Sequence, residues 1–285
     1  MEYLKNFIKG MAVGIATLVP GVSGGTMAII LGIYDRLIHS VSSFFQNWRR
    51  NLIFLLTVGA GAAVGFLLFS RILENAVNNY PYIMRFLFMG IIIGGLPVLY
   101  KKSAGELGKP KAGKNTAGIG GLTAARITDY LFLIIGFVIV LLMSSEPEAV
   151  AEMATVKGIA GFLFLFAAGI IIAVALVLPG ISGSFMLLVL GMYGVTLNAI
   201  NTRNVTFLIP LALGIAAGTL GTTKIIEKLL NKYPGKTYML IMGFVLGSLI
   251  EVYPGIPQGI QLPLSIVFFA AGFLIIYRIG KKGLA

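Results

Sequence analysis

Six stretches of the chain stay apolar over the length that an α-helix needs to cross the ~30 Å hydrocarbon core of a bilayer. They are Leu52 to Phe69, Tyr82 to Tyr100, Ile127 to Met143, Val205 to Leu220, Lys236 to Ile250 and Pro263 to Ile279. Inside lipid a backbone N–H or C=O finds no water, so each must pair within its own segment, and helices achieve this. Two further apolar regions, Ile8 to Ile38 and Gly158 to Ile200, are broken by Pro-Gly, at Pro20-Gly21 and Pro179-Gly180. Each is either one interrupted crossing or a hairpin that leaves by the face it entered. Of 285 residues, 58% are hydrophobic and 11% charged, too little polar surface for a soluble domain. The chain reads as an all-α integral membrane protein.

The basic residues choose between crossing and hairpin. With two re-entrant hairpins and a cytoplasmic N-terminus, 18 Lys and Arg fall inside and four (Arg71, Arg85, Lys157 and Arg203) outside. If both regions span fully, the cluster from Lys101 to Arg126 moves outside and the split drops to 12 against 10. The positive-inside rule selects the hairpins and puts both termini in the cytoplasm. The acidic residues Glu146, Glu148 and Glu152 then lie outside. The first arm, Ile8 to Val19, is also short: at 1.5 Å per residue it reaches about 18 Å. The N-terminus has basic residues before an apolar stretch but no small-x-small cleavage site, and it is expected to be retained as structure.

The two halves repeat. At an offset of 159, Pro20-Gly-Val-Ser-Gly-Gly-Thr-Met27 falls on Pro179-Gly-Ile-Ser-Gly-Ser-Phe-Met186, and Leu31, Gly32 and Tyr34 fall on Leu190, Gly191 and Tyr193. At an offset of 153, Gly61/Gly65 meet Gly214/Gly218, Glu74 meets Glu227, Tyr80-Pro81 meets Tyr233-Pro234, and Gly90/Gly94 meet Gly243/Gly247. The predicted first unit, 1–143, holds a hairpin at 8–45 and helices at 52–73, 82–100 and 127–143, with a flexible cytoplasmic loop at 101–126. The second, 158–285, holds a hairpin at 158–200 and helices at 205–222, 236–250 and 263–279. One hairpin plus three crossings per unit makes the second copy upside down, the inverted repeat of many secondary transporters. The four G-x-x-x-G pairs are predicted to let helices approach closely.

Function classes narrow with the composition. There is no Cys, and His39 is the single histidine, so disulfides, Cys-rich zinc sites and a haem held by two histidines are excluded and no cofactor or metal is expected. The net charge of +12 sits between apolar runs and reports membrane orientation, not nucleic-acid binding. In an inverted repeat the two tips descend from opposite faces and meet near the midplane, where broken backbone is tolerated only when buried in protein or lining a cavity. Gly21, Ser23, Gly24, Gly25 and Thr26 of one tip, with Gly180, Ser182, Gly183 and Ser184 of the other, combine N–H groups, hydroxyls and absent side chains suited to a phosphate or carboxylate. The competing account is that the serines cap their own helices. Arg85, one turn inside an apolar run, is a candidate countercharge or a snorkelling surface residue. Arg71 with Glu74 and Lys224 with Glu227 repeat an i, i+3 pair, read as helix-end salt bridges or symmetric gates. Asp35 beside Arg36, and Asp129 near Arg126, are expected to pair at the interface, and His39 to lie at the cytoplasmic surface.

From Lys9 to Arg278, the doubled P-G-[VI]-S-G-[GS] with Gly-x-Tyr downstream resembles the bacterial and archaeal polyprenyl-phosphate transporters called PopT. The resemblance implies a flippase that returns undecaprenyl phosphate, or a related polyprenyl phosphate, from the outer to the inner leaflet of the cytoplasmic membrane for reuse as a cell-wall lipid carrier. Its partners would be that lipid, the surrounding phospholipid, and a H⁺ or Na⁺ gradient if transport is coupled. Two other classes compete. Membrane polyprenyl-pyrophosphate phosphatases also use a re-entrant Pro-Gly-x-Ser, but follow Ser with Arg-Ser where this chain has Gly24 and Gly183, and carry a glutamate-rich motif that is missing here. A carrier of a small inorganic anion fits the tip chemistry equally well.

Overall fold

The computed structural model describes residues 2–19, 22–107, 119–143 and 158–283. Lys109, Lys111, Lys114, Glu146, Glu148, Glu152, Lys157 and most of the predicted loop fall outside these residues, as do Pro20 and Gly21 of the first tip. Helices α1 (Glu2–Thr17), α2 (Gly24–Ile30), α3 (Tyr34–Ser42), α4 (Trp48–Asn79), α5 (Pro81–Leu107) and α6 (Ile119–Met143) make up the first half. The second half runs α7 (Ile159–Val177), α8 (Gly183–Val189), α9 (Tyr193–Asn201), α10 (Val205–Lys232), α11 (Pro234–Val252) and α12 (Gln261–Gly283). The described residues contain no strand. The same succession occurs in both halves: a long arm, a helix of 7 residues, a helix of 9 residues, then three long helices.

Each predicted hairpin holds a second break that the hydropathy pattern does not mark. After α2 the chain turns at Gly32, φ 69°, and after α8 at Gly191, φ 63°, both in the left-handed region that favours glycine. Ile33 N–H donates to Ala28 O at 2.9 Å and Met192 N–H to Leu187 O at 2.8 Å, closing each helix end with the six-to-one bond of a Schellman turn. The Leu-Gly pair of the repeat motif is therefore a helix stop. Proline sets the long helices: Tyr80 and Tyr233 leave the helical region, at ψ 58° and 55°, ahead of Pro81 and Pro234, so α4 and α10 end there and α5 and α11 begin. With nothing to break it sooner, α4 runs beyond the predicted 52–73.

Six described helices are long and apolar enough to cross a membrane: α4, α5, α7, α10, α11 and α12, while α6 adds the shorter apolar stretch Thr128–Met143. The sequence places Ile159–Val177 in a hairpin arm; at 19 residues it has the length of a crossing, and the matching arm α1 has 16. Their outer faces carry exposed Leu56, Leu67, Leu68, Ile72, Leu213 and Ile266, the apolar skin expected against lipid.

All four G-x-x-x-G pairs sit at helix crossings, as the spacing predicts. A side chain on Gly61 or Gly65 would strike the α1 backbone at Phe7 and Met11, and one on Gly214 or Gly218 the α7 backbone at Phe166 and Ile170. Gly90 and Gly94 of α5 meet Phe269 and Phe273 of α12, whereas Gly243 and Gly247 of α11 meet Leu133 and Val140 of α6. Thus α1 with α4 and α7 with α10 pack inside one half, while α5 with α12 and α6 with α11 pair across the halves. This exchange binds the halves into one bundle, with α11 its most enclosed crossing.

Candidate functional site

The two Pro-Gly tips touch. A Cβ built on Gly25 would lie 3.3 Å from the Cα and Cγ of Pro179, residues 154 apart in sequence. Val22, Ser23, Pro179, Gly180 and Ile181 are all buried at this junction. Gly180 has φ 90°, and a Cβ there would stand 2.6 Å from Val245 N and 2.7 Å from Phe244 C, so the second tip lies directly on the backbone of α11. From the first half, Tyr34 at the start of α3 donates its hydroxyl proton to Val177 O at 3.0 Å. That bond satisfies a carbonyl left over at the end of α7. Its repeat counterpart, Tyr193, is largely exposed, so the repeated tyrosine does different work in the two halves.

The tip hydroxyls are not equivalent. Ser23 caps α2, its Oγ accepting from Gly25 N–H at 3.2 Å, and its O–H donates to no group among the described residues. Ser182 stands at the same place before α8 without a side-chain capping bond. Thr26, one turn into α2, is 2% exposed, and its Oγ1 has no hydrogen-bond partner among the described residues. A buried hydroxyl without a partner costs about 1–3 kcal/mol, so its presence calls for a polar group to meet it. Gly24 and Gly183 also serve the fold. A side chain at Gly24 would meet Thr17 and Val13, and one at Gly183 would meet Leu176. Their missing side chains let each short helix fold against its own arm. Of Ser184 the structure gives the helical backbone alone, and Gly21 lies outside the described residues.

The charged candidates regroup around α3. Neither i, i+3 pair forms a salt bridge: Arg71 and Glu74 are exposed without an ion pair among the described residues, and Glu227 meets His39 and not Lys224, with Oε1 2.5 Å from Nδ1. Ser42 Oγ donates to the other Glu227 oxygen. Arg36 pairs not with Asp35 but with Glu2 at 2.5 Å and lies over the Phe54 ring at 4.1 Å. Asp35 instead binds Lys102 of α5 at 2.7 Å and accepts the Tyr238 hydroxyl of α11 at 2.6 Å. Asp129 is buried on α6, and the Arg126 side chain is not among those described. Arg85 is exposed at the start of α5 with no ion pair among the described residues. The network missed by sequence reasoning therefore joins α3 to α1, α5, α10 and α11. Its partners lie 34 to 203 positions apart, and the one available hint was the concentration of Asp35, Arg36 and His39 on a 9-residue helix whose counterpart α9 carries no charge.

Such a junction, two buried polar tips between paired helices with a charged fastening at one end, can hold an anionic group but supplies no metal ligands: no cluster of three or more His, Asp or Glu suited to a metal occurs among the described residues. Comparison with known proteins gives a consistent result. No solved structure matches. A polyprenyl-phosphate transporter of Staphylococcus aureus is 33% identical over 97% of this chain and 95% of its own length. A polyprenyl-phosphate transporter of Vibrio cholerae is 29% identical over 89% of this chain and 79% of its own. The family model described as VCA0040-like, undecaprenyl phosphate translocase-like, matches residues 13–261. Both tips and the whole of α3 fall within the residues that the family model matches, and the chain belongs to this undecaprenyl phosphate translocase-like family.

Proposed function

We propose that the chain transports an intact polyprenyl phosphate, undecaprenyl phosphate or a close relative, from the outer to the inner leaflet of the cytoplasmic membrane so that the carrier can be reused. The observation that carries the reading is the contact of the two equivalent tips, Gly25 on Pro179, beside the unpartnered buried hydroxyl of Thr26. The membrane relatives matched over most of the chain are named as transporters, which supports a carrier over an enzyme.

In this reading the halves are an inverted repeat, α1–α2–α3 and α7–α8–α9 enter from opposite faces, and both termini are cytoplasmic. The phosphate is held where the tips meet, by the hydroxyls of Ser23, Thr26 and Ser182 and by backbone N–H groups of Gly24, Gly25, Gly180 and Gly183, with the polyprenyl tail remaining in lipid. Alternating contact of each tip with α11 and its counterpart α5 would expose the headgroup to one leaflet at a time. Phosphoryl transfer needs a cation on the transferring group and a base for the nucleophile. At the positions following the tip serines the chain has Gly24 and Gly183, so the site holds and releases without cutting.

Purified protein in liposomes tests this directly. Labelled undecaprenyl phosphate placed in one leaflet should become extractable from the other at a protein-dependent rate, and undecaprenyl pyrophosphate should yield no inorganic phosphate. Phosphate release dependent on Ser23 or Ser182 would overturn the carrier reading in favour of a phosphatase.

A further inference from the structure

Beside the fastening on α3 lies a cavity of about 510 Å³ that the tip site does not use. One wall is the last turn of α3 and the 3-10 turn that follows it, with Ser42, Ser43, Phe44 and Phe45; the other is the C-terminal part of α10, with Lys224 and Lys228. The two lysines are four residues apart and so share one helix face. Glu227, the carboxylate between them, is committed elsewhere, because His39 and Ser42 of α3 occupy both its oxygens. Neither lysine has an ion pair or hydrogen bond among the described residues. The cavity, which Glu227 also lines, therefore presents two lysine ammonium groups without ion pairs and the Ser43 hydroxyl, beside a carboxylate whose two oxygens are already engaged. At its rim stands Phe45, 87% exposed and edge-on to Phe44 at 5.3 Å, with Trp48 also exposed one turn further on. Aromatic side chains of this kind belong to the boundary between lipid tails and water.

We propose that this cavity is a second phosphate site, a surface station where the monoester headgroup of a polyprenyl phosphate docks while its tail stays in the adjoining leaflet. The assignment rests on the transport reading for the identity of the lipid. The chemistry that selects it is charge: a phosphate monoester carries about −1.5 to −2 near pH 7, whereas a phospholipid diester carries one negative charge. Two lysine ammonium groups free of ion pairs answer the monoester, and the apolar rim at Phe45 answers a tail that free phosphate lacks. Because Glu227 lines the cavity and is bound by His39 and Ser42, the station and the fastening share a wall. In the proposed topology the station lies at the cytoplasmic end of the molecule, beside the charged network, where it receives the headgroup carried from the outer leaflet.

The chain contains no Cys, so single reporters at Asn231→Cys or Gln46→Cys, both exposed on the cavity wall, can be labelled with an anionic thiol reagent in zwitterionic nanodiscs. Undecaprenyl phosphate should slow labelling at both positions, while phosphatidylglycerol or inorganic phosphate at equal concentration should not. Lys224→Gln with Lys228→Gln should raise the half-protecting concentration at least tenfold. In liposomes the same pair should raise the concentration for half-maximal flux of lipid presented on the face that carries Gln46, and leave maximal flux within about twofold. Protection must persist in Ser23→Ala/Ser182→Ala protein, which separates the station from the tips. Equal protection by inorganic phosphate or phosphatidylglycerol would reduce the site to a general anion patch and overturn the assignment. No protection by undecaprenyl phosphate at either reporter, in protein that still moves the lipid, would overturn it while leaving the transport reading intact.

Discussion

Replacing Gly180 by Ala loads the second tip in two ways that can be separated by control positions in the same chain. At φ 90° an L side chain meets the left-handed penalty of about 1–2 kcal/mol. The added Cβ would also sit 2.6 Å from Val245 N and 2.7 Å from Phe244 C, backbone atoms of α11 that cannot rotate away. Forcing a methyl into such a contact costs roughly 1–3 kcal/mol more. The sum is about 2–5 kcal/mol. Gly255 has nearly the same backbone, φ 87°, but nothing within 4 Å of its Cβ position, so Gly255→Ala should carry only the first penalty. Gly59, inside α4 and equally open, should become more stable as Ala by up to about 1 kcal/mol. Reversible unfolding of the three variants in mixed micelles, read from the single Trp, should give the order Gly180→Ala, Gly255→Ala, wild type, Gly59→Ala from least to most stable. A Gly180→Ala protein no weaker than Gly255→Ala would refute the packing of the second tip on α11, and with it the placement of the site.

Ser23→Ala and Ser182→Ala should each weaken headgroup binding by about 1–3 kcal/mol, and the double variant should lose most of its flux in the liposome assay; unchanged flux at normal protein level would leave these serines as helix caps. Tyr238→Phe removes the hydroxyl that donates to Asp35 at 2.6 Å and should loosen the α3 end, seen as faster hydrogen exchange in α3 and not in α9; equal change in both helices would count against a localised fastening. Glu2 is held below its ordinary pKa, first by the hydrogen bond from Arg36 and then by its charge. A depressed carboxyl contributes above its unfolded pKa and loses its contribution as pH falls through the lowered folded value, so Glu2→Gln should remove pH dependence from α1 exchange only in that acidic window. Single Cys labelling should find positions 46 and 104 on the cytoplasmic side and positions 79 and 158 outside, and the opposite pattern would reverse the proposed topology.

What could be read from the sequence was whatever depends on spacing along the chain. Gly61/Gly65 and their three companion pairs announce close crossings because the feature needed, a missing side chain every fourth residue, is entirely local. Which helix each pair would meet was not legible, since Gly90 finds Phe269 and Gly243 finds Leu133 only once the halves have come together. The doubled tips were legible as chemistry, and their meeting followed from the repeat. The charged pairs misled because neighbours in sequence were taken for neighbours in space. Glu227 has Lys224 one turn away, yet at 2.5 Å its partner is His39 from the other half, and an exposed i, i+3 pair is worth too little, about 0.2–0.5 kcal/mol, to compete. The packing use of Gly24 and Gly183 was hidden for a similar reason: a glycine after a capping serine suits a ligand and a returning helix equally, and Thr17 and Leu176 reach them only through the turn.

The exchange of helix partners between the halves also sets the order in which the chain can be made. During synthesis α5 enters the membrane with the glycine face of Gly90 and Gly94 bare, and its partner surface at Phe269 and Phe273 does not yet exist. At ~5–20 residues per second the wait is roughly 10 to 40 s, during which that face meets lipid or whatever else is near. A ribosome that stops before α12 therefore releases a chain with the Gly90 and Gly94 face of α5 permanently uncovered, however complete its first half and both its tips. Quality control needs no knowledge of the substrate site to recognise such a product: an unmatched small-residue face in the bilayer identifies it, and the last crossing to be synthesised is the one that removes that mark.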